Sequence, residues 1–414
     1  MKIKASILDL FRGAPDRVER DEVGGFDLPD LYPTDYFGAS DAAEMVEVYL
    51  TAAENGEIGR LWELYERMEY SDPFLGGLIN HLVSAVAQQP VRRVYKREGS
   101  IVEEYEAKLS KTLDRVNLRE FISLAARAHL NGAAIILIDW RTYERDGTVF
   151  AYPSNIRPTP NSAVVMITDQ NSPHYGELAL QMRDSRIVPI STLPRHRVIV
   201  ARAGNYNGRW HRAGALRKVV TWWATKQWAH RRWVQYAELY GTPYRLGRVP
   251  ATASPKMVEE VIRAVKNVGA FAWAVLRGDS DIEIKEANHP PNVQIYESII
   301  DYAHLQYAVA LIGSADVVGD NREGSYARLR VSNSIRYEFI RSVAAIVEDA
   351  LTELAAVTLA VNMGERFDPL YAPEMKLRVM PPTDMLDLAR TIEILNGIVD
   401  LPEDYIKDLF NIPD

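Results

Sequence analysis

The 414-residue chain contains no cysteine, so neither a disulfide nor a thiolate metal site can contribute to it. That fits a reducing cytoplasm without requiring one. No Gly-Lys dipeptide occurs anywhere, which excludes a Walker-type phosphate loop and, with it, a motor ATPase. The eight histidines are scattered, with no His-Glu-x-x-His motif and no close pair, so zinc hydrolysis lacks its usual ligand spacing. Gly-x-Ser-x-Gly is also missing. No apolar window reaches the length of about 20 residues that crosses a bilayer, and the apolar run within Met1–Asp9 is too short for a signal peptide. The expectation is a non-enzymatic soluble protein made in the cytoplasm, with no cofactor, no metal and no membrane partner. Asp279, Asp281 and Glu283 alternate and could approach a divalent ion, but a solvated strand face accounts for them more simply. The competing reading is a metal-dependent nucleic-acid enzyme whose site carries no recognised motif.

What is present is length, apolar content and uneven charge. A hydrophobic fraction of 47% supports two or three packed units. The net charge of −8 argues against gripping nucleic acid over the whole surface. Residues 204–250 depart from that balance, with nine bases (Arg209, Arg212, Arg217, Lys218, Lys226, Arg231, Arg232, Arg245, Arg248) against the single acid Glu238. Such a segment suggests an anionic partner, or charge pairing with an acidic neighbour in an oligomer.

Taken in order, residues 1–40 are rich in Asp, Gly and Pro and predict an extended arm. Helices follow from Asp41 to Ala53, from Ile58 to Tyr70 and from Phe74 to Gln89, the last capped by Asp72-Pro73. Residues 101–131 read as two helices, stopped by Asn131-Gly132 before an apolar strand, Ala133 to Trp140. Short β-branched runs (164–168, 187–190, 198–201) then make a β-rich unit. Residues 213–240 predict a helix with two apolar stripes and four of the eight tryptophans. Two stripes require two neighbours, so Trp222, Trp223, Trp228, Trp233 and Tyr236 are candidate subunit contacts. A small α/β insertion is followed by a helix whose spaced apolar residues are Ile295, Ile299, Tyr302, Leu305, Val309 and Ile312. A polar loop from Gly313 to Gly324 separates it from a much longer helix, Tyr326 to Asn362. A strand at 376–380 and two short helices close the chain.

The stretch from Leu311 to Ala327, Leu-Ile-Gly-Ser-Ala-Asp-Val-Val-Gly-Asp-Asn-Arg-Glu-Gly-Ser-Tyr-Ala, followed by a long helix, resembles the corresponding part of portal proteins from Mu-like tailed phages. Three further strings, Ala53-Glu54-Asn55-Gly56, Asp72-Pro73-Phe74-Leu75 and Gln89-Pro90-Val91, are similar to that family's opening, and Tyr240-Gly241-Thr242-Pro243 is similar to its turn after the first stem helix. The motifs are individually modest, and their shared order carries the resemblance.

The resemblance implies an α+β, mostly helical portal fold. Its parts would be an arm (1–40), a wing (41–212 and 326–380), a first stem helix (213–241), a clip (242–289), a second stem helix (290–313), a channel loop (314–325) and a reduced crown (381–414). It also implies a homo-oligomeric ring, on the order of twelve subunits, at one vertex of a phage capsid. Double-stranded DNA would run through the ring past Asp316, Val317, Val318, Gly319, Asp320, Asn321, Arg322 and Glu323. The clip would offer Arg245, Arg248, Lys256, Arg263 and Lys266 to partners. Those partners would be the terminase large subunit and a head-tail adaptor, with the major capsid protein or a scaffold meeting the ring elsewhere.

Overall fold

Pro73 opens a helix at a position whose N–H would have no intrahelical acceptor, and the Asp72 carboxylate accepts from the amides of Phe74 and Leu75 at 3.1 and 3.2 Å. The computed structural model describes residues 41–204, 209–241, 245–250, 252–267, 273–277, 293–315, 326–379 and 385–397. In it this helix, α3 (Pro73–Ala87), follows α1 (Asp41–Glu54) and α2 (Ile58–Ser71). A short strand, β1 (Val91–Val94), leads to α4 (Ser100–Thr112) and α5 (Leu118–Asn131).

The apolar strand predicted at Ala133 runs further than expected, as β2 (Ala133–Arg145), and folds back as β3 (Thr148–Pro158). Asp146 and Gly147 form the turn with φ of 54° and 69°, the paired positive values that match the twist of a two-residue hairpin. A bulge interrupts the pairing where Trp140 faces Pro153 and Asp139 faces Asn155, which is where a sheet tolerates proline. Three short strands, β4 (Val164–Met166), β5 (Leu178–Gln181) and β6 (Ile187–Pro189), form a second antiparallel sheet, and β7 (Val198–Arg202) returns to the other edge of β2.

The second half is built on α6 (Leu216–Gly241). After it come β8 (Arg245–Val249), α7 (Pro255–Asn267) and β9 (Trp273–Arg277). β8 and β9 pair in parallel, as a helical crossover permits. Then follow α8 (Val293–Ile312), α9 (Tyr326–Met363), β10 (Glu374–Leu377) and α10 (Met385–Asn396). Aromatic contacts between Trp222 and Tyr302 and between Tyr236 and Tyr296 show that α6 and α8 run antiparallel. At 38 residues α9 extends about 57 Å, and it buries Val343, Val347, Leu351, Leu354 and Leu359 in the main core. Its buried Glu348 accepts from Arg341 at 2.5 Å, from Lys376 at 3.1 Å and from the Leu377 amide at 3.0 Å, which fixes β10 and its partner β1. Asn362 exchanges two 2.8 Å hydrogen bonds with the Ala151 backbone on β3.

Three contacts set the root and direction of α6. Gly132, at φ +96°, ends α5 so close to the start of α6 that a Cβ there would lie 2.1 Å from the Trp210 carbonyl oxygen. A Cβ on Gly214 would lie 2.4 Å from that of Leu130. Secondly, Glu54 at the end of α1 receives Arg209 at 2.9 Å, Arg212 at 2.8 Å and His211 at 3.1 Å. Thirdly, the Lys226 ammonium lies 2.8 Å from both oxygens of the wholly buried Asp72 carboxylate and 5.7 Å from the Tyr307 ring centroid, joining α3, α6 and α8.

Lys226→Ala should destabilise the fold by about 3–5 kcal/mol in urea unfolding, because it leaves Asp72 buried without its counter-charge. The pair Asp72→Asn with Lys226→Met should recover much of that loss. For Glu54, burial alone would raise the carboxyl, but hydrogen bonds from Arg212 and His211 outweigh it and hold the group at about 2. The folded value lies below the unfolded one, so the contribution is complete above about pH 5 and fades as pH falls toward 2. Glu54→Gln should therefore cost about 1–3 kcal/mol at pH 7, and the two stability curves should converge in acid. Parallel curves across that window would mean the cluster does not hold the root.

Candidate assembly and channel surface

The helix pair α6 and α8 presents apolar side chains to solvent. On α8 the buried residues are Ala303, Tyr307, Ala308, Leu311 and Ile312. The spacing-based stripe of that helix is mostly the outer one: Ile295 is 56% exposed, Tyr302 51%, and Val309 is exposed as well. Apolar residues lie on every side of this helix, among Gln294, Glu297, Asp301 and Gln306, so periodicity has two faces to choose from, and here the small and aromatic side turns inward against α3 and α6. A groove of about 490 Å³ runs along the pair, lined by Trp222, Thr225, Gln294, Ile295, Ile299 and Tyr302.

The candidate contact residues divide within this frame. Trp223 is only 4% exposed and packs in the chain's own core, so it has no surface to offer a neighbour and the expectation for it does not hold. Trp222 is half-buried, edge-on to Tyr302 at 5.1 Å between centroids. Trp233 and Tyr236 are half-buried, and the Tyr236 ring lies 6.5 Å from that of Tyr296. Trp228, at 45% exposure, is the most open tryptophan of the helix. Val234 is also exposed. Six residues separate it from Trp228, which sets the two about 120° apart around the helix.

Three of the nine bases in the basic segment are engaged inside the chain. Arg209 and Arg212 meet Glu54, and Lys226 meets Asp72, where the sequence suggested an external anion or a neighbouring subunit's acids. The missed signal was Asp72 itself, already engaged as a helix cap and therefore fixed where a lysine could reach it. On the α/β insertion, Lys256 and Arg263 are exposed on α7, while the side chains of Arg245, Arg248 and Lys266 lie outside the described residues. So do Asp316, Val317, Val318, Gly319, Asp320, Asn321, Arg322 and Glu323, and Asp279, Asp281 and Glu283. The flanks of that loop are described. Gly313 leaves α8 at φ +78°, and the Ser314 and Ser332 hydroxyls meet at 2.7 Å, pinning the end of α8 to the start of α9. Among the described residues no group of three or more His, Asp and Glu side chains is placed to hold a metal, and no helix is long and apolar enough to cross a membrane.

Comparison with known proteins follows the same line. The chain is 24% identical over 376 residues to the Mu-like prophage FluMu protein gp29 of Haemophilus influenzae, covering 88% of this chain and 69% of that protein. It is 20% identical over 201 residues to the portal protein of Escherichia phage Mu, covering 48% of this chain and 39% of that protein. Among solved structures, the neck of an empty gene transfer agent particle aligns over 84% of this chain and 92% of that one, with 12% identity and a TM-score of 0.49. An HK97 family phage portal protein from Corynebacterium diphtheriae aligns over 78% and 97%, with 14% identity and a TM-score of 0.37. A family model described as the portal protein of Mu bacteriophage matches residues 62–412, which is most of the chain, and the chain belongs to that portal family.

Proposed function

We propose that this chain is the portal subunit of a tailed phage particle, in which identical copies close into a ring at one capsid vertex and double-stranded DNA passes along its axis during packaging and ejection. The observation that carries the ring is the exposed apolar surface of α6 and α8. Large aromatic and aliphatic side chains lie open there on more than one side of a rigid helix pair, a surface a monomer would seldom leave wet. Different patches facing different ways suit a heterologous contact, and a heterologous contact of the right angle closes a ring. The role is structural: the insertion β8-α7-β9 lies in sequence between α6 and α8 and suits docking by the terminase large subunit and later a head-tail adaptor. Lys256 and Arg263 are among its accessible cations. The wing would meet the major capsid protein or scaffold.

The loop 314–325 is assigned to the channel. It carries Arg322 beside Asp316, Asp320 and Glu323, an acidic balance that repels phosphates and so lets a duplex slide, since each fixed cation on a phosphate adds a salt-dependent grip.

Trp228→Glu with Val234→Glu should reduce the particle mass seen by light scattering toward the 46.8 kDa monomer while leaving the circular dichroism of a folded chain, because both side chains are exposed. Trp223→Ala should do the reverse in kind, costing about 3–5 kcal/mol of stability through a core cavity. If the double glutamate variant keeps its ring mass, the contact lies elsewhere. Separately, Asp320→Lys with Glu323→Lys should leave assembly intact, raise DNA retention at low salt and slow packaging. A normal packaging rate with normal salt dependence would remove the loop from the DNA path.

A further inference from the structure

A groove of about 890 Å³ lies in the wing between β1 and α4, away from the stem. Its apolar lining is Val91, Val102, Ala107, Leu118 and Met375. The polar lining is dominated by acids. Arg93 binds Glu106 at 2.5 Å and also holds Asp114, and Tyr95 donates to Glu106 at 2.7 Å. One guanidinium thus serves two carboxylates, and Glu103 adds a third on the same wall. The groove is therefore apolar inside and net negative at its mouth, which selects for a segment that is apolar and basic together.

We propose that this groove is the docking site of the chain's own first twelve residues. Met1–Arg12 carries Ile3, Ile7, Leu8, Leu10 and Phe11 among Lys2, Lys4 and Arg12, with Asp9 its only acid. The other long stretches outside the described residues have the opposite charge. Residues 13–40 hold seven acids and two bases, 278–292 four acids and one lysine, and 398–414 five acids and one lysine. Each would meet the acidic mouth with repulsion. Reach is not limiting: the 28 residues between Arg12 and Asp41 span up to roughly 90–100 Å when extended, enough for the groove of the same copy or of a neighbour in a ring. Burial of the apolar side chains supplies the attraction and the charge match supplies direction. This docking is independent of the ring reading, because the groove is complete within one chain.

The absence of cysteine makes the test direct. In the full chain carrying Ala107→Cys, the introduced thiol should react slowly with a maleimide, and deleting residues 1–12 should speed the reaction severalfold while leaving the melting temperature in place. Ile187→Cys, on the exposed strand β6, should label at the same rate with and without the segment. Combining Ile7→Cys with Ala107→Cys should give a disulfide under mild oxidation. An intrachain product would show docking in the same copy, and a covalent ladder would show docking in the next. Glu103→Lys with Asp114→Lys should suppress the disulfide and accelerate labelling. Labelling at Ala107→Cys that ignores the deletion, together with no disulfide to Ile7→Cys, would overturn the proposal. So would protection of the thiol that survives the deletion, because another occupant would then fill the groove.

Discussion

A fully buried carboxylate is expensive, by several kcal/mol even after the protein relaxes around it, and Asp72 meets that cost only when three helices are in place at once. Two of its acceptor positions take the amides that open α3, and the remainder take the Lys226 ammonium from α6. Tyr307 and His304 of α8 close the site, with His304 stacked on Phe74 at 4.2 Å. Neither α3 nor α6 can shift alone without stranding a charge. The relative placement of α6 and α8, and hence the shape of the apolar surface between them, follows from this one joint.

The same economy draws three of the nine bases of residues 204–250 into contacts within the chain. Arg209, Arg212 and Lys226 meet carboxylates of α1 and α3 and so help to orient the helix pair, while Lys218 and Arg232 face outward. For the channel role proposed above, each cation consumed internally is one fewer to hold a passing polyanion.

Helix positions were legible where local chemistry is decisive. Asp72-Pro73, Asn131-Gly132 and the long periodic run of α9 each announce a start, a stop or a stripe without help from the rest of the fold. β3 was not read as a strand because Pro153 and Asn155 interrupt its alternation, although Asp146-Gly147 marked the hairpin that creates it. On α8 the helix was plain and its orientation was not, since Ile, Tyr, Leu and Ala surround it and only the partners on α3 and α6 decide which side is covered. Trp223 and Trp228 look alike in sequence, yet one is core and the other surface. Five residues along a helix amount to a rotation of about 140°, and composition alone does not say where the core lies. Pairings such as Glu54 with Arg212, 158 residues apart, are set by the tertiary fold and leave no local trace.

The backbone contact at Gly132 and Gly214 has a mechanical meaning. Where side chains separate two segments, small rotations are absorbed by rotamers. Here carbonyl oxygens sit where Cβ atoms would be, and nothing soft lies between. The base of α6 is therefore a hard pivot. A helix of 26 residues is about 39 Å long, so a tilt of one degree at that pivot displaces its far end by about 0.7 Å. In the ring proposed above, the same tilt repeated in every copy would act like the blades of an iris, converting a sub-ångström adjustment at the base of α6 into a change of aperture at the opposite end.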